Sequence, residues 1–258
     1  MNRLPVIFSG HGSPLIAIED NNITRTMEEV GEKILKDHAK PKAILSISAH
    51  WFTRGTFIQS DPHPRQIYDM YGFPKALYEV KYPGKGDREL TERVKSLLKD
   101  KVQINDSWGI DHGTWTVLVH MFPKADIPVV QLSVDGTLSE EECYALGKKL
   151  SVLREEGFLI FGSGNVVHNL GRVEWDNPDG TKMTHSFNDT IVKAIEEGKD
   201  EDVIHYASHP YASYAVPTRE HYLPLIYCLG AADKDKAEVF NNICNLGSIA
   251  MTGFVFGE

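Results

Sequence analysis

Val6-Ile7-Phe8-Ser9 runs directly into Gly10-His11-Gly12-Ser13-Pro14. A short, nearly continuous apolar run that stops at glycine reads as a strand covered on both faces, and here it puts a histidine at the strand's carboxyl end. Ala43-Ile44-Leu45-Ser46-Ile47-Ser48 repeats the pattern and ends at Ala49-His50-Trp51. Val129-Val130-Gln131-Leu132-Ser133-Val134 and Phe158-Leu159-Ile160-Phe161-Gly162 are two more such runs. Amphipathic stripes lie between and after them: Met27, Val30 and Ile34; Leu90, Val94, Leu97 and Leu98 behind Asp87; Cys143, Leu146, Leu150 and Leu153 behind Ser139-Glu140-Glu141-Glu142; and Phe187, Ile191, Ala194 and Ile195. The acidic turn before Cys143 suits a helix N-terminus. Strands alternating with helices predict an α/β fold with a central, mostly parallel sheet flanked by helices.

The chain has 258 residues, 41% hydrophobic and 24% charged, enough for a core and too apolar for a disordered whole. No internal repeat or low-complexity linker divides it, so residues 1–258 read as a single domain. Two loops break the rhythm. One, 61–83, carries Tyr68, Tyr71, Phe73 and Tyr78 among four prolines; the other, 175–183, is rich in Asp, Asn and Gly. Long loops in a compact domain are usually functional. The aromatic one reads equally as packing or as the wall of a pocket for a flat ring. A formal charge of −9 argues against nucleic acid and against anionic membrane surfaces. The three cysteines form no CxxC pair and sit on expected helical stripes, which points to core positions in a reducing compartment. With no apolar run near membrane-spanning length and no signal-peptide core, a soluble cytoplasmic protein is expected. Oligomeric state is not encoded in any of these features.

The histidines stand out. His11 and His50 follow the first two strands, and His168 follows the fourth across Gly162-Ser163-Gly164-Asn165. Ligands of open α/β sheets bind beyond the carboxyl ends of the strands, so these three converge at one edge. Any one histidine after a strand is more often hydrogen-bonded structure than ligand. Three together favour a metal site, because neutral imidazole is a common ligand for zinc and iron. His112, in Asp111-His112-Gly113-Thr114-Trp115, and His221, in Arg219-Glu220-His221-Tyr222, are further candidates. His38, His120, His185 and His205 read as surface or core; His63 and His209, each before proline, stay undecided. Nucleotide-binding glycine loops are absent, and Gly162-Ser163-Gly164 lacks the spacing of a nucleophile elbow.

Five motifs in order carry a resemblance across nearly the whole chain: Gly10-His11-Gly12-Ser13-Pro14, Ser48-Ala49-His50-Trp51, Asp111-His112-Gly113-Thr114-Trp115, Gly162-Ser163-Gly164-Asn165-Val166-Val167-His168-Asn169, and the stretch from Val216 through Glu220-His221-Tyr222 to Leu225. Together they resemble the 4,5-DOPA extradiol dioxygenase family, within the class III, LigB-like ring-cleaving dioxygenases. The resemblance implies an oxidoreductase of aromatic compound metabolism that opens a catechol-type ring with O₂. It also implies a non-haem metal, Fe(II) for activity, with Zn(II) as the alternative bound ion. Carried over by motif, His11, His50 and His221 resemble the metal ligands. His168 resembles the acid/base, close enough to the metal to act as a ligand without substrate, and His112 the group that meets the substrate oxygen. Protocatechuate-type relatives use a glutamate as third ligand; here His221 stands with Glu220 beside it, which leaves the choice between iron and zinc open. Two other readings compete: a tetrapyrrole metal chelatase, which also opens with strand–Gly-His-Gly-Ser, and a non-catalytic metal-binding protein on the same fold.

Overall fold

In the computed structural model, which describes residues 3–257, the strands are β1 (Val6–Gly10), β2 (Ala43–Thr53), β3 (Thr56–Ile58), β4 (Val102–Ile104), β5 (Val129–Asp135), β6 (Phe158–Gly164), β7 (Ala237–Phe240), β8 (Cys244–Asn245), β9 (Ile249–Ala250) and β10 (Gly253–Phe256). Eight of them form one sheet in the order β4-β3-β5-β2-β6-β1-β10-β7. The centre, β5-β2-β6-β1, is parallel. β3 turns antiparallel against β5 at one side, and β10 against β1 at the other. Every residue of β1, β5 and β6 is buried, which is why these strands read as continuous apolar runs. The expected α/β architecture, with a mostly parallel central sheet flanked by helices, is the one observed.

The helices are α1 (Asn22–Asp37), α2 (Lys75–Glu79), α3 (Arg88–Leu98), α4 (His112–Met121), α5 (Glu140–Leu150), α6 (Lys182–Glu196), α7 (Asp200–Ile204), α8 (Ala212–Ala215) and α9 (Leu223–Ala232). The four amphipathic stripes became α1, α3, α5 and α6. Each starts where a side chain caps it: Asn21, Asp87, Ser139 and Thr181 accept from backbone N–H groups of the first turn. Met27 and Ile34 of α1 join Trp115, Leu118 and Met121 of α4 in the core on one face of the sheet. The other face is covered by α3, α5, α6 and α9. No helix among the described residues is long and apolar enough to cross a membrane.

Three local expectations are corrected. β2 runs past His50 to Thr53, its register with β5 shifting between Ser48 and Phe52, so His50 lies within the strand at an irregularity. β6 runs to Gly164, with Ser163 paired to Ser9 and Gly164 to Gly10; the turn begins only at Asn165. A side chain at 164 would come within 2.1 Å of the His221 carbonyl oxygen, so glycine there lets the neighbouring loop lie against the strand. Cys244 lies in β8 and not on a helix, although all three cysteines are buried and free.

α5 and α9 meet backbone to backbone. A Cβ added at Gly147 would come 2.1 Å from the Tyr227 carbonyl oxygen, and one at Gly230 would come 2.1 Å from that of Tyr144. Backbone cannot yield as a side chain can, so Gly147→Ala is expected to destabilise the protein by at least about 1–3 kcal/mol. Thermal unfolding of the variant checks this, and an unchanged midpoint would mean that the helices separate freely.

Candidate metal centre and active site

The site begins at the first turn of α4. Asp111 caps that helix, its carboxylate accepting from the Thr114 amide (3.1 Å). The same carboxylate accepts from Ser48 Oγ in β2 (2.7 Å), Gln131 Nε2 in β5 (2.7 Å) and Trp108 Nε1 (3.0 Å). A fully buried carboxylate thus has its oxygens satisfied, and it pins α4 to the carboxyl end of the sheet. His112 is therefore brought beside His50, with ring centroids 3.8 Å apart.

Asp69, from the aromatic loop, holds both rings. Its Oδ2 lies 3.3 Å from His50 Nδ1 and 3.0 Å from His112 Nδ1, both as ion-pair contacts. Its Oδ1 accepts from the His112 amide (2.9 Å). Burial pushes the Asp69 carboxyl up, but the contacts and charges of His112 and His50 outweigh it and hold the group well below the usual carboxylate range. A carboxylate cannot donate, so a proton of His50 belongs on Nδ1, and in the neutral ring Nε2 keeps its lone pair.

His11 is fixed the same way by a neutral partner. Ser163 Oγ donates to the Gly113 carbonyl, so it can only accept from His11 Nδ1, 2.9 Å away. His11 Nε2 then also carries a lone pair, and it lies 3.1 Å from His50 Nε2. With both rings neutral, two imidazole lone pairs this close make a ready place for a cation. His221 adds a third: its Nδ1 lies 3.2 Å from Glu220 Oε1, and its buried Nε2 has no hydrogen-bond partner. Its ring stands with centroids 5.2 Å from both His11 and His50. His168 stacks on it at 3.5 Å, nearly parallel.

All five expected site histidines line one cavity of about 320 Å³. They fall into two sets whose ligand atoms lie within 4.8 Å of one another: His11, His50 and His112, and His168, Glu220 and His221. Burial lowers His11 and His221 well below the usual imidazole value, and the neighbouring histidines push in the same direction. His168 is lowered to about 4, chiefly by burial, with Glu220 opposing. These are neutral imidazoles at neutral pH, the form that ligates metals. Larger grooves of about 420 and 560 Å³ lie elsewhere, lined by charged side chains and none of these five residues.

The other histidines fall outside. His63 is in an exposed loop, His209 packs on Phe187, and His120 bonds the Ile16 carbonyl. The aromatic loop contributes less than expected to the wall. Phe73 lines the cavity, whereas Tyr71 is 92% exposed and Tyr68 packs on Trp115. Sequence reasoning missed Asp69, Ser163 and Asp111 as holders of the imidazoles. It also missed Leu170, Val173 and Trp175 on the wall, for which the only sequence sign was an unpaired tryptophan opening the second long loop.

An α/β sheet with imidazoles gathered at the ends of its parallel strands matches a known class of enzyme. The family model of the catalytic LigB subunit of aromatic ring-opening dioxygenase matches residues 5–257. The chain belongs to that family. It is 39% identical over 262 residues to a protein of Escherichia coli K12 named 4,5-DOPA dioxygenase extradiol, covering 99% of this chain and 95% of that one. A Beta vulgaris protein of the same name is 36% identical, covering 99% and 97%. The crystal structure of the uncharacterized protein JW3007 from Escherichia coli K12 superposes with a TM-score of 0.85 at 35% identity, covering 99% of this chain and 100% of that one.

Two outcomes follow from this geometry. Asp69→Asn removes the carboxylate that sets the His50 tautomer, so affinity for Zn(II) in competition titrations is expected to fall about 10–100-fold. Unchanged affinity would remove Asp69 from this role. The second outcome concerns acid. In metal-free protein, His11, His168 and His221 resist protonation when folded but take it up near pH 6.5 when unfolded. Below that pH the unfolded chain binds more protons, so stability falls as pH drops from about 6.5 towards 4, by about 1.4 kcal/mol per pH unit for each histidine. Urea midpoints of chelator-treated protein that stay flat over this range would contradict the buried neutral cluster.

Proposed function

We propose that this chain opens the ring of a catechol-type substrate with O₂, cleaving the bond beside the paired hydroxyls, at the cavity of five histidines. The approach of His11 Nε2 and His50 Nε2 to 3.1 Å, each ring having an oxygen at its Nδ1, is the observation that carries this reading. A divalent metal is the cation these two nitrogens suit, and His11, His50 and His221 are the proposed ligands. The donor set fits. Each of these rings has an oxygen partner at Nδ1, Ser163, Asp69 and Glu220 respectively, which leaves Nε2 for the ion. A redox-active ion such as Fe(II), when bound there, supplies an electron path between catechol and O₂ that redox-inert Zn(II) does not. All atoms of substrate and O₂ are kept in the product, as an aldehyde and a carboxylic acid. Family membership favours this over the chelatase alternative, and the relatives' names make DOPA one candidate catechol.

The proposed work of the chain is proton handling and positioning. His168, neutral because burial lowers it to about 4, accepts a proton from a substrate hydroxyl at neutral pH and returns it to the opened product. His112, held at the start of α4 by Asp69, meets the substrate oxygen. Apolar side chains around the cavity exclude water and hold the flat ring.

The grouping of His112 with His11 and His50 favours a second assignment of the third ligand. Metal content of His112→Ala and His221→Ala decides it: retention in the first and loss in the second is expected, and the reverse would make His112 the ligand. His168→Ala is expected to keep its metal while kcat falls about 10²–10⁴-fold, the usual contribution of an acid/base group. Elemental analysis and turnover on the same preparation check this. Metal lost in proportion to activity would make His168 a ligand.

A further inference from the structure

The cavity has two unlike ends. Its floor is imidazole, while its wall is Phe73, Leu170, Val173, Trp175, Leu246 and Ile249. Among the described lining residues none is Asp, Glu, Lys or Arg. Besides the histidines, the polar side-chain groups among the described lining residues are the Ser13 hydroxyl, which accepts from the Leu15 amide, and the indole N–H of Trp175. At the mouth, Trp175 is 77% exposed and Leu170 68%. Large apolar surface left in water beside a cavity marks a place where something apolar docks.

This rim is built, not loose. The Asn169 amide donates to the Ser248 carbonyl (3.1 Å), Ser248 Oγ donates to the Asn169 carbonyl (2.7 Å), and the Glu174 amide donates to the Leu246 carbonyl (2.9 Å). Leu170 and Val173 therefore sit on a strap fastened at both ends, with Trp175 just beyond the second. The charged members of the strap do not reach the wall. Arg172 is exposed and is not among the lining residues, and the Glu174 carboxylate accepts from Asn177 Nδ2 (2.7 Å).

The wall is the part of the cavity that histidines do not line, so it faces the substituent of a catechol whose hydroxyls meet the histidines. A carboxylate or ammonium there would find no side chain of opposite charge among the described lining residues, whereas an alkyl or aryl group would cover Trp175 and Leu170. Resting on the ring-opening reading above, we propose that the site selects catechols with an uncharged, apolar ring substituent, and that Trp175 and Leu170 are the specificity-determining contacts.

Calorimetric titration of the metal-loaded protein without O₂ tests this apart from turnover. Catechol, 4-propylcatechol, 3-(3,4-dihydroxyphenyl)propionate and L-DOPA are the probes, the last three sharing a three-carbon chain that is neutral, anionic or zwitterionic. The Kd of 4-propylcatechol is expected to be roughly ten-fold or more below those of both charged analogues. Trp175→Ala and Leu170→Ala should each shrink the preference for 4-propylcatechol over catechol several-fold. L-DOPA binding as tightly as 4-propylcatechol, or an unchanged preference in both variants, overturns the inference and leaves the ring-opening reading in place. Failure of all four probes to bind overturns that reading, and the inference with it.

Discussion

The buried carboxylate of Asp111 is the interaction on which the rest of the site depends. It joins β2 through Ser48, β5 through Gln131, the following helix through the Thr114 amide, and the preceding loop through Trp108. Four donors let it stay buried without an unsatisfied oxygen. From that anchor the geometry spreads outward. His112 is the next residue, His50 lies two residues past Ser48, and the Gly113 carbonyl holds the Ser163 hydroxyl that in turn sets His11. Losing this one carboxylate would loosen three of the five imidazoles together.

Electrostatics then divides the cluster by partner. A carboxylate stands beside His50 and His112, a hydroxyl beside His11, and a glutamate on one side of His221. Burial keeps His11, His221 and His168 neutral, and each further histidine adds to the cost of placing a proton on its neighbours. A pocket that resists protons and gathers lone pairs is suited to a metal cation. The apolar wall lowers the local polarity and so strengthens charge interactions made beside it.

The same cavity separates chemistry from selection. The clustered imidazoles lie at the carboxyl edge of the sheet, where backbone position is fixed by buried strands. The strap from Asn169 to Asn177 is on the surface, held by a few backbone hydrogen bonds to the segment around Leu246 and Ser248. Relatives can share the floor and differ along such a strap, because substitutions in a surface loop disturb packing less than substitutions in a core strand.

The α/β class, the four central strands, four helices and three of the histidines, His11, His50 and His168, were legible in the sequence because their signals are local, whereas His112 and His221 took their roles from the five-motif resemblance. Buried strands are apolar runs, amphipathic helices show their stripe, and a histidine after a strand lies at the sheet's edge whatever the topology. α4 and α9 were not legible by periodicity: almost every residue of both is buried, so no polar face marks the helical repeat. The continuation of β2 past His50 and of β6 through Ser163 and Gly164 depends on pairing with neighbouring strands, which one segment cannot reveal. Tertiary structure alone decided which imidazoles meet, which oxygens stand beside them, and which apolar residues form the wall. Those are contacts between residues such as Asp69 and His112, or Asn169 and Ser248, that lie tens of positions apart in the chain, and only the folded sheet edge brings them together.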